Sequence, residues 1–106
     1  MSDNKDLFIK LLSEEPKLID VINSKEHLAV LEHLERDSSD FLNLKSNLMK
    51  YIYIKKDIIL YNILEALTQR ELIKKIRVNE NQVYFITEKG KKFIGLYKET
   101  KKEFDI

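Results

Sequence analysis

A chain of 106 residues supports one domain with a modest single core. Glycine (2) and proline (1) are too scarce for the turns of an all-β fold, and the absence of cysteine excludes disulfides, thiolate metal sites and a cysteine nucleophile. The net charge of +1 conceals a split, because residues 1–40 hold 10 Asp/Glu against 5 Lys/Arg while residues 41–106 hold 8 against 14. A basic half joined to an acidic half fits a nucleic-acid face backed by a solvated or partner-facing one. Ordinary solvated helix faces in a lysine-rich chain give the same count. The acidic start MSDNKDLFIKLLSEE is no signal peptide, and no apolar run approaches the roughly 20 residues that cross a bilayer. The expectation is a soluble, cytoplasmic protein.

No linker, repeat or low-complexity segment interrupts the chain. Asp6 to Val21 reads as a first helix, with Leu7, Leu11, Leu12, Leu18 and Val21 spaced for one apolar side and a break near Glu15 imposed by Pro16. Ser24 is a good N-cap, with Glu26 in the first turn of a helix whose Leu28, Leu31 and Leu34 fall at helical spacing. Arg36 to Asp40 is a polar turn. A third helix is predicted from Asp40 to about Tyr51, with Phe41, Leu44, Leu48 and Met49 inward. Tyr51 to Ile54 suits either a strand or the turn between two helices. Lys55-Lys56-Asp57 opens a fourth helix with Leu60, Ile63, Leu64 and Leu67 in one stripe, and Leu72, Ile73 and Ile76 extend the core beyond it. Ile76 to Thr87 alternates as two short strands around the turn residues Asn79, Glu80 and Asn81. Thr87 caps a last helix from 88 to about 103, where Phe93, Ile94, Leu96 and Tyr97 are the apolar positions. Gly90, one turn into that helix, costs roughly 1 kcal/mol against alanine. Its presence points to another backbone close by; tolerance near a fraying end is the plainer account.

Three segments carry a resemblance. Ser24–Leu34 (SKEHLAVLEHL) resembles the first helix of archaeal and bacterial winged helix-turn-helix regulators. Leu64–Ile73 (LEALTQRELI) is similar to the end of their recognition helix and its exit, and Tyr84–Ile94 (YFITEKGKKFI) to their wing return strand and following helix. The resemblance covers roughly residues 24–98, and the ordered set is more specific than its Thr-Glu-Lys-Gly signature alone. That family usually places glycine just before the Leu-Ile exit, where this chain has Glu71, and its second helix reads more clearly than residues 44–53 do here. The implied fold is mainly α with a small β-hairpin wing (α+β), a winged helix-turn-helix with extra N- and C-terminal helices. One domain is expected over 1–106: an N-terminal extension (1–23), a winged-helix core (24–87) and a C-terminal helix (88–106).

Duplex DNA is the partner such a fold implies, read by the N-terminal part of one helix with cations at the phosphates. On the helix starting near Lys55, Lys55, Lys56 and Tyr61 are candidates for phosphate contact and Asn62 for adenine edges. Ile58 and Ile59 stand where a groove-reading helix is usually polar. The wing adds Lys74, Lys75, Arg77, Asn79, Asn81 and Gln82, side chains suited to minor-groove or phosphate contact, although every exposed hairpin tip is polar. Lys89, Lys91 and Lys92 sit at a helix N-terminus, where the dipole disfavours cations, which points mildly to an anionic partner.

Catalysis finds no motif. His27 and His33 lie six apart, off the i, i+4 spacing that a zinc pair needs on a helix, and there is no phosphate loop or nucleophile signature. No cofactor and no metal are expected, and no enzyme activity. Apolar residues in both flanks, among them Phe8, Ile9, Phe104 and Ile106, are costly if left in water and point to a homodimer through the terminal helices. The resulting expectation is a dimeric DNA-binding regulator. Its alternative is a winged-helix module that binds a protein through its apolar helix face and does not bind DNA.

Overall fold

Pro16 sets the layout of the N-terminal segment. It has no amide hydrogen and its ring collides with a preceding helical turn. The first helix, α1 (Asp3–Glu14), therefore stops before it, and the chain restarts through a 3₁₀ turn at Pro16–Leu18 into the short α2 (Ile19–Ile22). The break falls where it is expected, and the helix starts at Asp3 rather than Asp6. The computed structural model describes residues 3–50 and 54–104, with side chains described within 5–50 and 54–102.

Ser24 caps α3 (Lys25–Arg36) as predicted. Its hydroxyl oxygen accepts the His27 amide at 3.3 Å, lies 2.6 Å from His27 Nδ1, and donates its own proton to Glu26 at 3.1 Å. That set is self-consistent for neutral His27 with its proton on Nδ1. Burial lowers the His27 pKa from the ordinary 6.5, and the nearby Arg70 guanidinium adds to this, against a smaller raising effect from Glu26 and Asp20.

The polar turn after α3 ends in an unpredicted strand. β1 (Ser39–Asp40) pairs antiparallel with the hairpin, Ser39 opposite Tyr84 and Asp40 opposite Val83. Two residues are too few to show alternation, so the sequence carries no signal for it. The Asp40 carboxylate also accepts the Asn43 amide at 2.8 Å and so caps α4 (Phe41–Asn47). This helix is shorter than the predicted run to Tyr51. Leu44 and Leu48 point inward as expected and Phe41 is half-buried, but Met49, beyond the helix end, is exposed. Tyr51 to Tyr53 lie outside the described residues; Ile54 is fully buried.

α5 (Asp57–Gln69) begins two residues later than Lys55, with Lys56 at the cap position. Its stripe of Leu60, Ile63, Leu64 and Leu67 is buried as predicted, each worth about 1.5–3 kcal/mol against exposure. The helix ends in a Schellman motif: Glu71 N–H bonds Thr68 O at 2.9 Å and Leu72 N–H bonds Leu67 O at 3.0 Å, with both leucines buried. That motif requires a left-handed residue after the cap, and Glu71 supplies it at φ 62°. The position that the regulator family fills with glycine thus keeps its geometry here without one.

The hairpin consists of β2 (Ile73–Val78) and β3 (Asn81–Ile86), in register from Ile73 opposite Ile86 to Val78 opposite Asn81. β2 starts three residues before Ile76, and Ile76 is exposed on the strand rather than part of the core. The turn is the pair Asn79-Glu80 with φ of 49° and 73°, both positive as a two-residue type I′ hairpin demands. Asn81 belongs to the strand. The sheet order β1-β3-β2 puts the hairpin's return strand in the middle.

Thr87 caps α6 (Glu88–Phe104), its hydroxyl accepting the Gly90 amide at 3.0 Å. A Cβ on Gly90 would stand 2.1 Å from Leu72 O and 2.7 Å from a side-chain carbon of Ile86, so the close backbone approach inferred for this glycine is present. α1 lies along α6. Phe8 is only 5% exposed, with ring centroids 5.9 Å from Phe93 and 6.2 Å from Tyr97, so it belongs to the chain's own core and not to a partner surface. Ile9 is exposed as expected, while the Phe104 side chain and Ile106 lie outside the described residues.

Two outcomes follow for stability. A left-handed non-glycine residue costs about 1–2 kcal/mol, against about 0.5–1 kcal/mol of extra backbone entropy for glycine. Glu71→Gly is therefore expected to stabilise the fold by about 0.5–1 kcal/mol, read as a higher urea midpoint at unchanged slope; a lower midpoint would show that Glu71 is not strained. For His27 the folded state binds its proton less tightly than the unfolded chain does. The His27 contribution is thus intact above pH 6.5 and is lost as the pH falls from there through the lower folded pKa. The melting temperature should drop on acidification from pH 7.5 to 5.5, and His27→Gln should flatten that slope.

Candidate nucleic-acid interface

A helix buried along one stripe shows its other side to solvent, and on α5 that side is Ile58, Tyr61, Asn62, Glu65 and Gln69, spaced at three, four, seven and eleven residues from Ile58. Lys55 and Lys56 precede its first turn and are exposed. Asp57, the first helical residue, places a negative charge at the positive helix end and holds Lys45 of α4 at 2.6 Å, tying the two helices together. Tyr61 stacks on Phe41 with centroids 4.1 Å apart and planes at 16°. Leu42, in the first turn of α4, lines a shallow cleft with Tyr61, Asn81 and Gln82 and is 74% exposed.

The hairpin distributes its polar residues by strand alternation. Lys75 and Arg77 face the same way as their partners Tyr84 and Gln82, and Lys75, Gln82 and Tyr84 border a narrow cleft with Tyr61 and Glu65 of α5. Lys74 lies opposite Phe85 and so belongs to the other face. Asn79 sits at the turn, next to the acidic Glu80. Burial raises the Tyr84 pKa from 10, with Tyr61 and Glu65 adding to it, so the hydroxyl stays protonated across the neutral range.

Of the ten residues singled out in the sequence, Lys55, Lys56, Tyr61 and Asn62 lie on or just before α5, and Lys75, Arg77, Asn81 and Gln82 lie on the hairpin beside it. Asn79 caps the tip and Lys74 turns away. None of the five cations among them is ion-paired to a described residue. The cations at the start of α6 differ. Lys89 bonds Glu15 and Lys91 lies 3.4 Å from Glu88, so the placement of these two has a local benefit and is no sign of an anionic ligand. Leu42 carries no signal in the sequence, because an exposed leucine beside a capping Asp40 looks like any other apolar residue of an amphipathic helix. Among the described residues no group of three or more acidic or histidine side chains is placed to hold a metal ion, and no helix is long and apolar enough to cross a membrane.

No family model and no curated protein matches the chain. Solved structures do. The reduced form of the transcriptional regulator YodB from B. subtilis superimposes with a TM-score of 0.71 at 15% identity, covering 83% of this chain and 85% of that one. The transcriptional regulator HlyU from Vibrio vulnificus gives 0.67 at 16% identity, covering 90% and 95%. A transcriptional regulator from Clostridium thermocellum gives 0.62 at 24% identity, covering 81% and 85%. The likeness is one of fold. Helix α3, strand β1, helices α4 and α5, hairpin β2–β3 and helix α6 form the winged-helix α+β arrangement that these regulators share.

Proposed function

We propose that this chain is a DNA-binding transcription regulator that works in the cytoplasm as a homodimer, with the core at residues 24–87 reading duplex DNA and the terminal helices pairing the two copies. The observation that carries this reading is the placing of Lys55 and Lys56 at the start of α5, and of Lys75 and Arg77 on the hairpin beside its outward face, all without an ion-pair partner among the described residues. Cations flanking an exposed helix face are what a phosphate backbone on both sides of a groove requires. In this reading Lys55, Lys56 and Tyr61 meet phosphates beside the major groove and Asn62 meets a base edge. Lys75, Arg77, Asn79, Asn81 and Gln82 follow the adjacent backbone and minor groove, while Lys74, on the other face of the hairpin, takes no part. The fold shared with solved transcriptional regulators supports the reading.

One feature favours a second reading, in which the same face binds a protein and no DNA: Ile58 is 64% exposed in the first turn of α5. Salt separates the two. Each phosphate neutralised contributes about −0.9 to the slope of log affinity against log salt. Four engaged cations give a slope near −4, and Lys55→Glu with Lys56→Glu and Arg77→Glu should abolish the gel shift of a random duplex. No shift by the unaltered protein at about 50 mM salt would sink the DNA reading.

Pairing of the copies has its own test. Leu7 and Ile9 flank the buried stripe of α1 on either side and are both about half exposed, which leaves apolar surface for a second chain. Light scattering should give twice the chain mass, and Leu7→Glu with Ile9→Glu should halve it. A monomeric unaltered protein at tens of micromolar would overturn the dimer.

A further inference from the structure

The outward face of α5 carries neither arginine nor lysine; its exposed residues in the first two turns are Asp57, Ile58, Tyr61 and Asn62. Guanine is read in the major groove chiefly by a bidentate Arg or Lys on its O6 and N7, and this face has no such group. What it offers instead is apolar surface beside a free amide. Ile58 is 64% exposed and Leu42, in the first turn of α4, is 74% exposed. Both are neighbours of Tyr61: Ile58 lies one turn before it on α5, and Leu42 lines a cleft with it. Asn62 follows Ile58 by four residues, directly over it on the helix surface, and its amide makes no hydrogen bond to a described residue.

We propose that this surface selects A·T base pairs, with Ile58 and Leu42 packed on thymine 5-methyl groups and Asn62 paired to adenine. The inference rests on the DNA-binding reading above and names its sequence class. An A·T pair presents in the major groove the adenine N7 and N6 edge that fits an amide side chain, next to the thymine methyl that fits an aliphatic one. Ile58 and Asn62, one helical turn apart, offer those two chemistries side by side. The rim decides between DNA and a protein as the occupant: Lys55, Lys56, Lys75 and Arg77 border the apolar patch, and a regularly spaced polyanion neutralises cations on both sides of it. Gln69, eleven residues beyond Ile58, lies about 16 Å further along the axis and takes no part.

The test uses the unaltered full chain. Duplexes are selected from a random pool by repeated gel shift, and thymines in the selected site are then replaced one at a time by deoxyuridine, which removes only the methyl group. Enrichment of A·T pairs is expected, together with a loss of about fourfold in affinity at each contacted thymine, the factor equivalent to burying one methylene at ~0.8 kcal/mol. Ile58→Ala and Leu42→Ala, exposed changes that leave the core intact, should each remove the difference between thymine and deoxyuridine at one contacted position and keep it at the other. Equal binding of both forms by the unaltered protein, selection of G·C-rich sites, or no selection at all would overturn the inference while leaving DNA binding in place. Failure to shift any duplex at low salt, or occupation of this face by an acidic protein instead, would overturn both.

Discussion

The Leu72 carbonyl oxygen and Gly90 stand so close that no side chain fits between them, and the placing of the hairpin against α5 hangs on that approach. Leu72 leaves α5 through the Schellman motif, and its carbonyl oxygen accepts the Thr87 amide at 3.0 Å. The Thr87 hydroxyl lies within hydrogen-bonding distance of the carbonyls of Glu71 and Leu72, and it has one proton to give them, while it accepts the Gly90 amide. Four elements therefore meet at one knot: the end of α5, the start of β2, the end of β3 and the start of α6. With both strands rooted there, the hairpin has little freedom to swing relative to α5. That fixes where Lys75, Arg77 and Gln82 lie with respect to Tyr61 and Asn62.

Most of this knot was legible in the sequence. A cap at Thr87 and a glycine one turn later form a local signal, and Gly90 points to close backbone contact, with tolerance near a fraying end as the alternative; the 2.1 Å that a Cβ there would leave to Leu72 O decides for the contact. Glu71 was harder to read, since the Schellman hydrogen bonds are backbone features that tolerate an acidic residue at a cost in strain. β1 was invisible because two residues have no period. Its existence depends on Tyr84 and Val83, some forty-five residues later. Phe8 misled for a different reason. An aromatic near a chain end looks surplus until α6 is seen to bring Phe93 and Tyr97 against it. The candidate site divides in the same way: Lys55, Lys56 and Asn62 followed from position on a helix, whereas Leu42 depends on how α4 meets α5 and the hairpin tip.

Charge and apolar surface are kept apart on the proposed interface. The cations lie at its edges, before α5 and along the hairpin, while the middle holds Ile58, Tyr61 and Leu42. Edge cations act over the distance of a Debye length and weaken with salt, whereas apolar contacts act only on touching and are nearly indifferent to it. Such a surface divides association between two ranges: attraction to any duplex from afar, and discrimination at contact. Glu65 and Glu80 temper the first, which suits a chain whose total charge is only +1.

Arg70 gives the far end of α5 a second anchorage. Its guanidinium donates to Lys17 O at 3.0 Å and Ala66 O at 2.9 Å, and lies 3.4 Å from the Asp20 carboxylate, so the last turn of α5 is bound to the segment between α1 and α3. Thirteen residues at 1.5 Å each make α5 a rod of about 20 Å, held at that end by Arg70, along its length by the buried stripe and at its start by the Asp57–Lys45 pair. A tilt of about 10° about the Arg70 end carries the Ile58 end through about 3.5 Å, more than the length of a hydrogen bond. The N-terminal segment thus holds the end of α5 remote from Ile58, so the direction in which the exposed face of that helix points depends on Pro16–Ile22 as well as on the hairpin.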